Sequence, residues 1–290
     1  DLGRVRLAAG ETAAAREGIR AVLARFPAAP ELAKLEPQIG KAEGGPAWRK
    51  SVRQESEHFE LASDLDLPTC RLLVKELERA WAALGTRLGP WPAGAPRTRV
   101  FVFTGEASYR AYIEGILDEP FENTLGIYSS LLRQIVAWSP STRAELFRTL
   151  WHELAHRHAH LTLGTLPRWL DEGLAELVAE EAWPLQRPGL ENLGALVRQE
   201  QERFLPLENF LELDALAFMA RAEPSYPQAW IVVSTLAHDV DGAGAFLTRL
   251  RAELSAETDA ASALDRVRAD FDLARLAASV QAHHRERTRP

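Results

Sequence analysis

Four of the eight histidines in this chain fall within one short stretch, LWHELAHRHAH, at positions 152, 156, 158 and 160. The stretch lies in a run with helical periodicity. Phe147, Trp151 and Leu154 recur at three- and four-residue spacing and form one apolar stripe. Thr142 followed by Glu145 has the spacing of a capping box and marks the helix start. A helix fixes where each imidazole points. His152 and His156 are one turn apart and share a face roughly opposite the stripe, flanked by the modest side chains of Thr149, Ala155 and Ala159. His158 lies about 200° around the axis from His156, inside the stripe, and is expected to pack. His160 shares the face of the pair one turn further on. Any fold of this chain must bury one side of this helix and keep the histidine pair uncrowded on the other.

The elements before and after this helix differ in kind. Glu57–Ser63 alternates, with Phe59 and Leu61 on one side, and reads as a strand. Pro68 opens a helix whose Leu73, Leu77, Ala80, Trp81 and Leu84 share a face. Arg99–Phe103 reads as a buried strand, Ser108–Ile116 as a short helix, and Leu125–Ser130 with Arg133–Trp138 as a hairpin. Strand signals stop after residue 140. The expected class is α+β: a small mixed sheet over residues 47–140, then a mostly helical part over 141–290. A hydrophobic content of 46% is enough for a core of that size.

Residues 1–46 read as a separate helical hairpin. Gly3, Gly10, Ala15, Ile19, Ala21 and Pro27 stand where a tetratricopeptide repeat places small residues, a turn glycine, apolar packing and a closing proline, so the segment resembles one such repeat. An ordinary helical hairpin fits the same residues. One repeat cannot bury its own faces, so this segment is expected to lean on the next domain or on a protein partner. Gly44–Trp48 reads as the linker.

The net charge of −7 argues against a broad basic surface and so against nucleic acid as a partner. Cys70 is the single cysteine, which excludes an intrachain disulfide and a thiolate metal cluster; it is expected to be a small buried apolar residue. No apolar run is long enough to span a membrane. The chain begins at Asp1 and its only methionine is Met219. That suggests a processed or trimmed product, and favours export to the periplasm over the cytoplasm.

Two imidazoles at i and i+4 can both reach one ion at about 2.0–2.1 Å, the zinc–nitrogen distance. Glu153, about 100° around the axis from His152, can reach a water on that ion without ligating the ion. This is the physical content of the H-E-x-x-H pattern. A catalytic zinc takes three protein ligands and leaves one position for water. Downstream, LPRWLDEGLAELVAE (Leu166–Glu180) opens a second helix after Pro167, with Glu172 and Glu176 one turn apart. The short loop from Leu161 to Leu166 lets that helix fold back on the first. Glu172 is then the expected third ligand, and Glu176 the expected acceptor for the second ring N–H of a ligating histidine. The plainer reading of the two glutamates is a solvated helix face.

HELAH followed by WLDEGLAE resembles the gluzincin metallopeptidases, the group of thermolysin and the zinc aminopeptidases. SEHFELASDLDLP and YPQAW further resemble a bacterial family of the MA-clan peptidase group. The resemblance covers roughly residues 50 to 280 and implies a thermolysin-like helical subdomain. It implies one zinc per chain on His152, His156 and Glu172, with Glu153 as catalytic base. The interval from His156 to Glu172 is shorter than in the large aminopeptidases. In gluzincins a tyrosine or histidine from the later helices steadies the oxyanion. Tyr226, before Pro227 at an expected helix start, is the candidate here, with His238 as the fallback. The strand before the motif helix runs along the cleft in those enzymes and pairs with an extended peptide, which points to Arg133–Trp138. The implied function is peptide-bond hydrolysis on a peptide or protein substrate. Two alternatives stay open: a catalytically silent zinc-containing scaffold, and a zinc hydrolase acting on cell-wall peptides.

Overall fold

The computed structural model describes Glu17, Arg20, Ala21, Arg25 and residues 30–117, 124–130, 132–185, 192–238, 245–255, 260–269 and 273–287. Most of the repeat-like segment, with Gly3, Gly10, Ala15, Ile19 and Pro27, lies outside the described residues. Its last part forms helix α1 (Pro30–Gly44). The chain is α+β, and its contacts divide it into two units: Asp1–Arg87 with Gly94–Glu153, and Leu88–Ala93 with Leu154–Pro290.

The first unit is built on a sheet. Its strands are β1 (Val52–Glu55), β2 (Phe59–Ser63), β3 (Thr98–Phe103), β4 (Gly126–Ser129) and β5 (Gln134–Trp138), in the order β1-β2-β3-β5-β4. β2, β3 and β5 run parallel in the middle, and β1 and β4 flank them antiparallel. The helices α2 (Leu67–Arg87) and α3 (Glu106–Leu117) connect them. The three central strands are apolar on both sides, as parallel strands covered on both faces must be. One face carries Ala62, Phe101, Phe103 and Val136, packed with Tyr109 and Ile113 of α3. The other carries Phe59, Leu61, Val100, Val102 and Ile135, all buried. α2 covers that second face: Leu73, Leu77, Ala80 and Leu84 are buried, and the Trp81 ring meets Phe59 edge-on at 5.9 Å. Cys70 is buried in the same helix, as expected. β1 had no clear signal in the sequence; it is a short strand with every second residue exposed, paired on one edge only.

The hairpin of β4 and β5 forms as expected, with Arg133 in left-handed backbone (φ 53) at its turn. Its place in the sheet corrects one expectation. β5 is paired on both edges, with β3 and with β4, so it has no free edge for a peptide. Among the described residues the sheet ends on that side at β4.

After residue 140 the described elements are all helical: α4 (Arg143–Leu163), α5 (Arg168–Ala182), α6 (Leu193–Glu200), α7 (Leu207–Leu211), α8 (Ala215–Met219), α9 (Ala222–Ala237), α10 (Ala245–Ser255), α11 (Ala260–Ala269) and α12 (Leu273–Arg287), with a 3-10 turn at Gln201–Arg203. In the second unit α9 is the central helix. It is buried almost all round, from Pro224 to Leu236, as a helix enclosed by others must be. α5, α6 and α12 pack against it. The α5–α9 approach is close because position 173 is glycine. A Cβ there would stand 2.5 Å from Val233 Cγ2 and 2.7 Å from the Ala229 carbonyl oxygen. Glu180, buried near the end of α5, accepts the backbone N–H groups of Leu185 and Leu193, both at 2.9 Å, and so ties the two ends of the following loop together. No described helix is long and apolar enough to cross a membrane.

Candidate metal centre

α4 begins where the sequence indicated. The Glu145 N–H donates to Thr142 Oγ1 at 3.2 Å, and the Thr142 hydroxyl donates to the Glu145 carboxylate at 2.9 Å. The second bond differs from a full capping box, in which the carboxylate would take the backbone N–H. Gly164, in left-handed backbone (φ 76), follows the helix end at Leu163.

The apolar stripe of α4 is buried along its length. In the first unit Phe147 and Trp151 are buried, and the Trp151 indole N–H donates to Glu76 Oε1 at 2.6 Å. Arg79 pairs with the same carboxylate and lies over the Trp151 ring. In the second unit Leu154 and His158 are fully buried. The His158 ring pairs through Nε2 with the Gly89 carbonyl at 2.7 Å and meets Trp91 edge-on. Burial pushes its pKa down to about 4, so it is a neutral packing residue, as its place in the stripe implied. His160 is half-buried.

On the other face, His152 and His156 are half-buried. Together with Glu172 of α5 they offer three ligand atoms within 4.8 Å of one another. The imidazole spacing comes from α4 alone. The carboxylate comes from the first turns of α5, whose start is fixed by Pro167 just outside the helix. Glu172 is 1% exposed, which is not the environment of a solvated helix face. His156 Nε2 lies 3.6 Å from Glu172 Oε2, while its Nδ1 pairs with Asp171 Oδ1 at 2.9 Å. Burial alone would hold the His156 pKa down; the charges of Asp171 and then Glu172 outweigh it and lift the pKa well above the ordinary histidine range. The cluster therefore favours positive charge at its centre.

Glu153 is 6% exposed and borders β4. Gly126 makes that approach possible: a Cβ there would stand 2.6 Å from Thr149 Cγ2 and 3.3 Å from Glu153 Cγ. Tyr109 also feels the Glu153 charge and shares a hydrogen bond of 3.0 Å with Thr124; burial pushes its pKa up.

Tyr226 lies inside α9 rather than at its start, because the helix begins at Ala222 and runs through Pro227. It nonetheless belongs to the neighbourhood of Glu172. Burial first, then the Glu172 charge, push its phenol pKa up, and Arg168 offsets this only in part. Its ring packs edge-on against Phe218. Glu176 is half-buried one turn beyond Glu172, and its charge also reaches Tyr226. His238 caps the C-terminal end of α9, where its Nδ1 pairs with the Ser234 carbonyl at 2.8 Å. That is a helix-end role.

Two residues of this neighbourhood were not singled out in the sequence. Asp171 is the carboxylate on His156, and Arg168 pairs with Glu172 Oε1 at 2.5 Å. The Arg168–Glu172 spacing of four was a readable signal. The Asp171 contact was not readable, because it depends on how α5 returns onto α4. No protein-family model matches this chain, and a search of curated proteins gives no match. The functional reading therefore stands on the residues themselves.

Proposed function

We propose that this chain is a zinc-dependent peptidase of the gluzincin type. The observation that carries the reading is the convergence of His152, His156 and Glu172 within 4.8 Å. Two imidazole nitrogens and one carboxylate oxygen are a donor set suited to zinc, and three protein ligands leave a position for water. The pairing of His156 Nδ1 with Asp171 supports it further, since it leaves Nε2 for the ion and fixes the ring orientation. The resemblance of HELAH and WLDEGLAE to the gluzincin motifs points the same way.

His152, His156 and Glu172 would hold the zinc ion, which would supply Lewis acidity to a bound water and to a substrate carbonyl. Glu153 supplies the base. Its carboxylate takes a proton from the attacking water as the oxygen bonds to the carbonyl carbon, then delivers it to the nitrogen as the C–N bond breaks. The Tyr226 hydroxyl, which donates to the Met219 sulfur at 3.9 Å, is the donor for the charge developing on the carbonyl oxygen.

Metal analysis of zinc-replete protein is expected to give about one zinc per chain, and a mixed peptide library is expected to be cleaved. Glu153→Gln should keep the zinc and lose cleavage. Full activity in that variant rejects Glu153 as the base. A zinc-loaded chain that cleaves neither library peptides nor muropeptides is a scaffold, and cleavage of muropeptides alone makes it a cell-wall hydrolase.

A further inference from the structure

Arg168 is the first residue of α5, one turn before Glu172. Its Nη2 lies 2.5 Å from Glu172 Oε1 and 3.9 Å from the Met219 sulfur, to which the Tyr226 hydroxyl also donates at 3.9 Å. Ion pairs at i and i+4 are common on helix surfaces, where both partners are solvated and the pair does little. This pair differs, because the Glu172 side chain is 1% exposed while that of Arg168 is 35% exposed. A buried carboxylate needs its oxygens satisfied, and here the two are divided. Oε1 faces the guanidinium, and Oε2 faces His156 Nε2 at 3.6 Å. The guanidinium and the tyrosine assigned above as the oxyanion donor share the Met219 sulfur as a neighbour.

We propose that Arg168 is a positioning residue of the metal centre. By holding Oε1 of Glu172 it presents Oε2 toward His156 Nε2, so Glu172 would offer an ion one oxygen. Hydrogen bonds to a ligating carboxylate fix its orientation, and losing such an outer partner weakens metal binding about 10–100-fold. The inference rests on the zinc reading above.

The test is zinc affinity of the full chain, by competition with a chromophoric chelator, for the wild type, Arg168→Met and Arg168→Lys. It is accompanied by the visible spectrum of the Co2+-loaded proteins and by thermal unfolding in EDTA. Arg168→Met should bind zinc about 10–100-fold more weakly, and Arg168→Lys, which keeps a cation on a similar stem, should recover part of the loss. The Co2+ bands of Arg168→Met should change in intensity, because the released second oxygen alters the coordination; a merely structural role would lower the EDTA unfolding temperature and leave those bands alone. If Arg168→Met does not fold, Arg168→Lys carries the test through its own affinity and Co2+ spectrum. Affinity within about two-fold of wild type, set against that 10–100-fold expectation, together with unchanged bands, overturns the role of Arg168. A wild type that binds no zinc overturns this inference together with the metal reading, whereas zinc-binding wild type with unaffected variants removes only Arg168.

Discussion

His156 and His158 are two positions apart and have opposite environments. His156 faces two carboxylates, whereas His158 is fully buried with its ring on the Gly89 carbonyl. Helical phase separates them, and the phase was readable from Phe147, Trp151 and Leu154. His158→Phe keeps a ring against Trp91 but leaves the Gly89 carbonyl without its donor. It should cost about 1–3 kcal/mol of stability, measured by denaturant unfolding, with bound zinc unchanged. His156→Ala should instead reduce bound zinc by metal analysis while the fold persists. Asp171 marks the limit of the residue-scale reading. Nothing about an aspartate beside a glutamate says that one turns to Nδ1 of a histidine and the other toward its Nε2 and an arginine.

Helix and strand identity was legible wherever an element keeps one period over several turns. α2 shows this, with Leu73, Leu77, Ala80, Trp81 and Leu84 on its buried side, and so do β2 and β3. β1 was not legible, because four residues with half of them exposed carry no apolar signal and the strand is specified by its pairing with β2. The order of strands was also hidden: sequence gave β4 and β5 as a hairpin, but only the pairing partners show that β5 is internal. Two glycines set how closely elements approach. Gly173→Ala gains about 1 kcal/mol of helix propensity but drives a methyl into Val233 and the Ala229 carbonyl. The overpacking, about 1–3 kcal/mol, should dominate, so the variant is expected to unfold at lower denaturant. Gly126→Ala should press on Thr149 and Glu153 and lower peptide cleavage more than zinc content, as read by kcat/KM beside metal analysis.

At the scale of the molecule, α4 gives its residues up to Glu153 to the sheet unit and those from Leu154 to the helical unit. By contacts, residues 88–93 group with the helical unit. Metal that binds the folded chain and not the unfolded one must stabilise the fold. EDTA treatment should lower the unfolding temperature, and zinc at about 100 times its Kd should restore about 2.7 kcal/mol. Equal unfolding curves with and without zinc would count against a folded-state site. The sequence by itself determined the α+β class, the helical phase of HELAH and the candidacy of Glu172, because each rests on periodicity or spacing along one continuous element. Tertiary structure alone decided that Asp171 faces His156, that Tyr226 sits near Glu172 from within a helix, and that β5 is paired on both edges. Those facts depend on which distant segments meet, and contacts between distant segments leave no period in the chain.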